Sequence, residues 1–141
     1  MKRAALILLL ALLAFSAAKG ESWIRINQLG YLPGSVKVAV YLSQLPAAEK
    51  SFIVYDALTD RPVFRGAAEI CDGAVWGMAA AARLNFSGLT TPGGYYIIYS
   101  RTRSETFRLG VNVYDGTADF ILNYIRQQRC GYNPFLADSC H

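Results

Sequence analysis

Histidine is nearly absent from this chain of 141 residues, in which His141 is the only one, and cysteine occurs three times. Nucleophilic triads need a histidine positioned beside a serine or cysteine, and no serine here stands in such an arrangement. A phosphate-binding glycine loop between a strand and a helix is also missing, because residues 92–94 have the composition of a turn. The sequence therefore predicts no catalytic residues.

Long apolar runs are absent except at the N-terminus, where Lys2 and Arg3 precede the uninterrupted apolar run 4–15. Small residues follow, which is typical of a secretory signal peptide cleaved after Ala18 or Gly20. The alternative is a membrane anchor, but a run of this length is too short to span a bilayer as a helix. We therefore expect residues 1–20 to be a signal peptide. We expect the protein to be secreted or periplasmic and not to insert stably into a membrane.

Basic charge is scarce once the leader is set aside. The whole chain has 14 basic and 10 acidic residues, but Lys2, Arg3 and Lys19 belong to the leader, so 11 basic residues face the same 10 acidic ones. No basic patch remains to favour nucleic acid as a partner. The residues after position 20 suit one domain of about 100 residues with its own core.

Short apolar segments separated by turn residues extend from Trp23 to Val113. About seven strands with turn signals roughly every ten residues are typical of a β-sandwich, so the fold class is predicted as mostly β, with residues 21–113 as one sandwich domain. The strand 51–56 has apolar residues on both faces and is expected to be central. The stretch 69–82 is interpreted as a connection between strands rather than a helix, and Cys71 as a small buried residue.

Aromatic residues are abundant, with nine Tyr, seven Phe and two Trp. Tyrosine and tryptophan at a surface can stack on sugars, but Tyr95, Tyr96 and Tyr99 lie in a strand-forming segment. They are interpreted as core and cross-strand packing residues.

The pattern changes at Tyr114, where one amphipathic helix is predicted. Asp115 or Thr117 could cap it, and Gly131 is expected to stop it. Asp119 in its first turn and Arg126 and Arg129 in its last turn suit the helix dipole. Its apolar positions form one stripe that needs a partner surface, Phe120, Ile121, Tyr124 and Ile125.

A cluster of soft ligands ends the sequence: Cys130, Cys140 and His141. Two thiolates and an imidazole suit Zn²⁺, which takes four ligands in a tetrahedron, so a fourth ligand would have to come from elsewhere. A disulfide between Cys130 and Cys140 is the competing interpretation for an exported chain, and a terminal histidine without a role is a third.

Several segments resemble glycoside hydrolase family 9. The resemblance rests on residues 24–33, 52–56, 85–96 and 107–114, and then on 127–131, with Asn27–Tyr31 and Gln128–Gly131 as its more specific pieces. It implies an immunoglobulin-like sandwich followed, over residues 114–141, by the start of an (α/α)6-barrel catalytic domain. The barrel of the same polypeptide is then the expected partner, and β-1,4-glucan the substrate of the full-length enzyme.

The resemblance also implies roles for the terminal cluster. Some members of the family hold a structural zinc with two Cys and two His near the start of the barrel, so Cys130, Cys140 and His141 are expected to be three ligands of an incomplete zinc site. The family's catalytic Asp and Glu motifs are missing from these residues, and the fragment is expected to be inactive. Two alternatives remain: an exported non-catalytic carbohydrate-binding or interaction module, and an exo-acting chito-oligosaccharide glycosidase of the same family.

Overall fold

The computed structural model describes residues 20–47, 49–128, 131–134 and 136–140, with Cys140 described by its backbone only. The described residues form ten strands, a one-turn 3₁₀ helix at Ala74–Trp76 and one α-helix, α1, at Thr117–Gln127. The strands are β1 Ser22–Arg25, β2 Val38–Ser43, β3 Ser51–Asp56, β4 Pro62–Cys71, β5 Ala80–Asn85, β6 Gly93–Tyr99, β7 Thr102–Arg103, β8 Phe107–Leu109, β9 Gly131–Asn133 and β10 Asp138–Cys140.

The long strand β4 joins two antiparallel layers. Its first part pairs with β3, from Pro62 to Ala67, and its last part, Ala68–Cys71, pairs with β5. The strand order is β1-β2-β5-β4-β3-β6-β7, with β8 beside β6. Since one strand belongs to both layers, the sheet curls back on itself, which confirms a mostly β, immunoglobulin-like sandwich followed by one helix.

The core lies between the layers and is unusually aromatic. Tyr99 packs edge-on against Tyr41 with ring centroids 4.8 Å apart. Phe107 packs edge-on against Tyr31 and at a tilt against Phe86. The expectation for the tyrosines of β6 is confirmed, because all three are buried. The central strand is confirmed too, since β3 covers the predicted residues and lies between β4 and β6.

The buried face of β2 and the residue before it is made by Lys37, Ala39 and Tyr41 rather than by the valines that alternate with them. Tyr41 fills the space against Tyr99, which a valine could not do. The Lys37 side chain is fully buried, and its Nζ donates to the carbonyl oxygens of Pro33 at 2.7 Å and Ser35 at 2.9 Å. A buried ammonium group is tolerated because these two acceptors replace water, although burial lowers the pKa of Lys37.

The connection between β4 and β5 is not a helix of the kind that its alanines would allow. It contains the 3₁₀ turn, ended by Gly77 in the left-handed conformation, and Ala80–Ala82 belong to β5. The interpretation as a connection rather than a helix therefore holds for residues 72–79, whereas the ends of the predicted stretch, 69–71 and 80–82, are wrong because they belong to β4 and β5. The expectation for Cys71 is wrong, because it is only half-buried: it lies on the outward-facing side of β4, near the end of the strand.

Helix α1 ends earlier and is capped differently from the sequence prediction. Its N-cap is Gly116, with φ of 77°, and no side chain caps it. Thr117 instead donates its hydroxyl to the Tyr114 carbonyl oxygen. The helix ends at Gln127, so Gly131 is not its stop and begins β9. None of the described helices is long and apolar enough to cross a membrane.

Candidate functional site

The junction between the sandwich and α1 is held by a group of hydrogen bonds around Asn27 and Tyr114. The Tyr114 hydroxyl donates to the Gly30 carbonyl oxygen at 3.0 Å. The side-chain amide nitrogen of Asn27, Nδ2, donates to that same oxygen at 2.9 Å and to the Tyr114 hydroxyl at 3.1 Å. The Gly30 carbonyl group, in the turn after β1, thus holds Tyr114, which lies three residues before the start of α1.

Tyr31 secures the same turn from the core side. Its hydroxyl accepts a hydrogen bond from the Asn27 backbone N–H at 2.9 Å, and its own backbone pairs with β8, with Tyr31 N donating to the Arg108 carbonyl at 2.9 Å. Burial raises the pKa of the Tyr31 phenol. The turn is therefore tied to the helix on one side and to the sandwich on the other.

Gly30 allows this close approach. Its φ of 112° lies in the region that favours glycine, and a Cβ at this position would lie 2.5 Å from the Arg108 carbonyl oxygen. Sequence reasoning identified residues 27–31 as a motif but did not predict that they contact Tyr114. The sequence does contain the residues that make this contact, an asparagine and a glycine in one turn and a tyrosine far along the chain. Their spacing in the sequence does not reveal that they meet.

The apolar stripe of α1 is exposed, and none of the helix residues is buried. Phe120 is 78% exposed and Tyr124 61%. An apolar groove of about 550 Å³ runs beside the start of the helix. It is lined by Leu29, Asp115, Gly116, Thr117, Phe120 and Ile121. We name this surface, the exposed helix stripe with its groove, the junction face.

The hairpin β9–β10 follows the helix. Cys140 pairs with Gly131 and Asp138 with Asn133. The buried Asn133 amide group donates to the Gln127 carbonyl at 3.4 Å and accepts from the Leu136 N–H at 3.3 Å. The hairpin is thereby attached to the end of α1, a role for Asn133 that sequence reasoning missed.

The predicted metal ligands are not tested. Cys130 and His141 lie outside the described residues, and so does the side chain of Cys140. Within the described part of the chain, no three His, Cys, Asp or Glu side chains are grouped in a way that could hold a metal ion. The zinc site remains a prediction, as does the boundary between residues 113 and 114.

Comparison with known proteins gives the family. Residues 19–104 match the model of the cellulase N-terminal Ig-like domain. A xyloglucan-specific endo-beta-1,4-glucanase of Bacteroides ovatus is 35% identical over 106 residues, which make up 75% of this chain and 17% of that protein. This chain therefore spans about a sixth of the length of that curated relative.

Solved structures agree. A Bacteroides ovatus protein of glycoside hydrolase family 9 superposes with a TM-score of 0.62 at 32% identity, covering 76% of this chain and 19% of that one. A Zn-binding triple mutant of the family 9 endoglucanase J30 superposes with a TM-score of 0.59 at 27% identity, covering 79% and 21%. The chain belongs to the family of cellulase N-terminal Ig-like domains, and its relatives are glycoside hydrolases of family 9 that it matches over their N-terminal part.

Proposed function

We propose that this chain is the N-terminal supporting part of an exported family 9 endoglucanase that cleaves β-1,4-glucans, with α1 as the first helix of the catalytic domain. The observation that carries the proposal is the junction face. An amphipathic helix that buries none of its residues, yet is fixed at its start by Tyr114, is suited to receive a further layer of helices. The relatives are named as endoglucanases, which favours endo action over the exo-acting alternative.

In this proposal the sandwich braces the catalytic domain and contributes no catalytic group. The hydrogen bonds around Asn27 and Tyr114 set the direction in which α1 leaves the sandwich. The apolar stripe then packs against helices of the following domain. The chain alone is expected to be catalytically inactive.

The test compares one substitution in two contexts. Phe120→Ala in the 141-residue chain, measured at a concentration at which the chain is monomeric, is expected to change the free energy of unfolding by no more than about 0.5 kcal/mol, because an exposed side chain loses little. In the full-length protein the same change is expected to cost about 3–5 kcal/mol, because the ring becomes a core residue. Urea unfolding measures both.

The matched control is Asn123→Ala, which lies on α1 away from the stripe and is exposed. It is expected to be neutral in both proteins. An equal, small effect of Phe120→Ala in the two contexts would mean that the stripe is not an interface with the following domain.

We also propose that Cys130, Cys140 and His141 hold a structural zinc in the full-length protein. The pairing of Cys140 with Gly131 supports this, since opposite residues in antiparallel strands lie about 4.5–5.5 Å apart and Cys130 adjoins Gly131 in sequence. Two thiolates and an imidazole fit Zn²⁺, which would tie the end of α1 to the hairpin. Native mass spectrometry should find one zinc ion per full-length chain. A mass about two daltons below that of the reduced chain, mapped to Cys130 and Cys140, would instead establish the disulfide.

Export is the last part of the proposal, supported by the leader-like composition of residues 1–20. Expression in a bacterial host should give a mature N-terminus at Lys19 or Glu21 in the secreted or periplasmic fraction. N-terminal sequencing that finds Met1 in the cell-associated protein would contradict it.

A further inference from the structure

Both tryptophans of the chain lie on one face of the molecule, the outer side of the layer β1-β2-β5-β4. Trp23 precedes the buried Ile24 and therefore points outward from β1, where it is half-exposed. The strand register places Trp23 opposite Leu42, Leu42 opposite Ala81, and Ala81 opposite Cys71. We name this surface, together with the neighbouring row described below, the tryptophan face.

Trp76 lies at the other end of that row. It is 66% exposed and lines a shallow depression of about 180 Å³ whose walls and floor include Val40, Cys71 and Ala81. Adjacent strands are about 4.8 Å apart, so the row from β1 to β4 extends about 14 Å. The two indoles thus lie near opposite ends of a shallow apolar strip.

A second row, parallel to the first, carries charges of both signs. Arg25 is opposite Val40, Val40 is opposite Arg83, and Arg83 is opposite Glu69. The Arg83 guanidinium is 3.7 Å from the Glu69 carboxylate, and both side chains are more than half exposed. The pair offers hydrogen-bond donors and acceptors without adding net charge.

The Trp76 end of this face is remote from the junction face. Tyr31, which anchors the turn next to Tyr114, contacts the start of β2 through the Val38 carbonyl, whereas Ala79 N, just before β5, donates to Ser43 at the end of β2. The six residues of β2 separate the two ends by about 16 Å. In the proposed function the catalytic domain packs on the junction face, and it would therefore lie at the opposite end of the sheet from Trp76.

We propose that the tryptophan face binds a β-linked glucan chain laid across the strands, separately from any catalytic cleft. A glucan is neutral and rich in hydroxyl groups, and the faces of its rings present C–H groups that pack on flat aromatic rings such as indole. The two indoles would contact two non-adjacent sugar rings of one glucan chain, while Arg83 and Glu69 bind hydroxyl groups beside Trp76. The choice of glucan over other neutral polysaccharides rests on the proposed function.

Tryptophan fluorescence tests the proposal directly, because every tryptophan of the chain lies on this face. Titrating the 141-residue chain with soluble xyloglucan or hydroxyethylcellulose should produce a saturable change in emission, and glucose should produce a far weaker one. Retardation in gels that contain the same polymers gives a second readout. Trp76→Ala should weaken binding about tenfold or more.

Matched controls separate the face from general effects. Tyr132→Ala removes another exposed aromatic ring, 69% exposed, on β9 and should bind as the unchanged chain does. Arg83→Gln should weaken binding, whereas Arg65→Gln, an exposed arginine in the part of β4 that pairs with β3, should not. Circular dichroism establishes that each variant is folded before binding is compared.

Three results would overturn the proposal. The first is an unchanged emission and mobility with both polymers. The second is a spectral change with vesicles of phosphatidylglycerol but not with glucan, which would make the face a membrane contact. The third is concentration-dependent association of the chain that Trp76→Ala abolishes, which would make it a self-interface. Any of these leaves the proposed function intact if the full-length protein still hydrolyses β-1,4-glucan.

Discussion

Gly30 should be harder to replace by alanine than the other glycines, because it alone combines a positive φ with a backbone atom within 3 Å of the position that a Cβ would occupy. Alanine at this position would have to adopt a φ of 112°, and its Cβ would lie 2.5 Å from the Arg108 carbonyl oxygen. That oxygen belongs to backbone and accepts the Tyr31 N–H, so it cannot move aside without breaking the link between the turn and β8. Two separate penalties therefore add.

The magnitude follows from those two penalties. A left-handed backbone costs a non-glycine residue about 1–2 kcal/mol, and overpacking a site that cannot relax costs about 1–3 kcal/mol. We expect Gly30→Ala to lower the free energy of unfolding by about 2–5 kcal/mol. Since small domains are stable by only about 5–15 kcal/mol, the variant should be visibly destabilised or unfolded.

Two other glycines isolate the terms. Gly77 has a φ of 67° but no atom lies within 4 Å of the position that a Cβ would occupy, so Gly77→Ala should show only the backbone penalty of about 1–2 kcal/mol. Gly34 has neither a positive φ nor a close neighbour, so Gly34→Ala should be neutral or slightly stabilising. Urea unfolding of the 141-residue chain, followed by circular dichroism, ranks the three. If Gly30→Ala costs no more than Gly77→Ala, the contact with Arg108 does not constrain the turn.

Three further predictions concern the helix junction, its exposed stripe and the buried phenols. Tyr114→Phe removes a donor and an acceptor at the Gly30 turn and should cost about 1–2 kcal/mol in urea unfolding, whereas Tyr132→Phe should cost nothing measurable. The chain should associate through its exposed stripe, and Ile121→Asp should shift light scattering toward the monomer; equal scattering by both proteins would contradict this. Burial raises the pKa of four phenols above 10.0, so the folded state keeps protons that the unfolded chain releases, and stability should fall as pH rises from about 10 toward their folded-state pKa values. These phenols are Tyr31, Tyr95, Tyr96 and Tyr99. The lowered pKa of Lys37 makes stability rise with pH, but only below pH 10.5. A net rise in stability above pH 10.5 would therefore contradict the raised pKa values of the buried phenols.

Local pattern was sufficient for β3, which has the bounds that its apolar run indicated. Its apolar residues are buried on one face, Phe52 and Val54, and half-buried on the other, Ile53 and Tyr55, which leaves little freedom of register. The same reasoning did not find β7, β9 or β10, which are only two or three residues long and carry too little pattern. It placed the end of α1 too late, since Gly131 looks like a helix stop but serves as the start of a strand.

Burial on one strand face depended on the surroundings of each residue rather than on residue type. Tyr41 is buried because it packs against the ring of Tyr99, which lies far along the sequence. Lys37 is buried because its ammonium group donates to the carbonyl oxygens of Pro33 and Ser35 in the turn just before β2. Cys71 is half-exposed because it lies on the outer face near the end of β4. The junction face was partly predictable, because the helix stripe was evident from spacing, but the hydrogen bonds of Tyr114 to Asn27 and Gly30 join residues more than 80 positions apart.

The most direct test of the central claim is the release of reducing sugar from xyloglucan and carboxymethylcellulose by two proteins, the 141-residue chain and the product of the full-length gene. We expect none from the chain alone and sustained hydrolysis by the full-length protein. Turnover by the 141-residue chain, or no hydrolysis of either polymer by the full-length product, would contradict the claim that this chain is the supporting part of a glucan-cleaving enzyme.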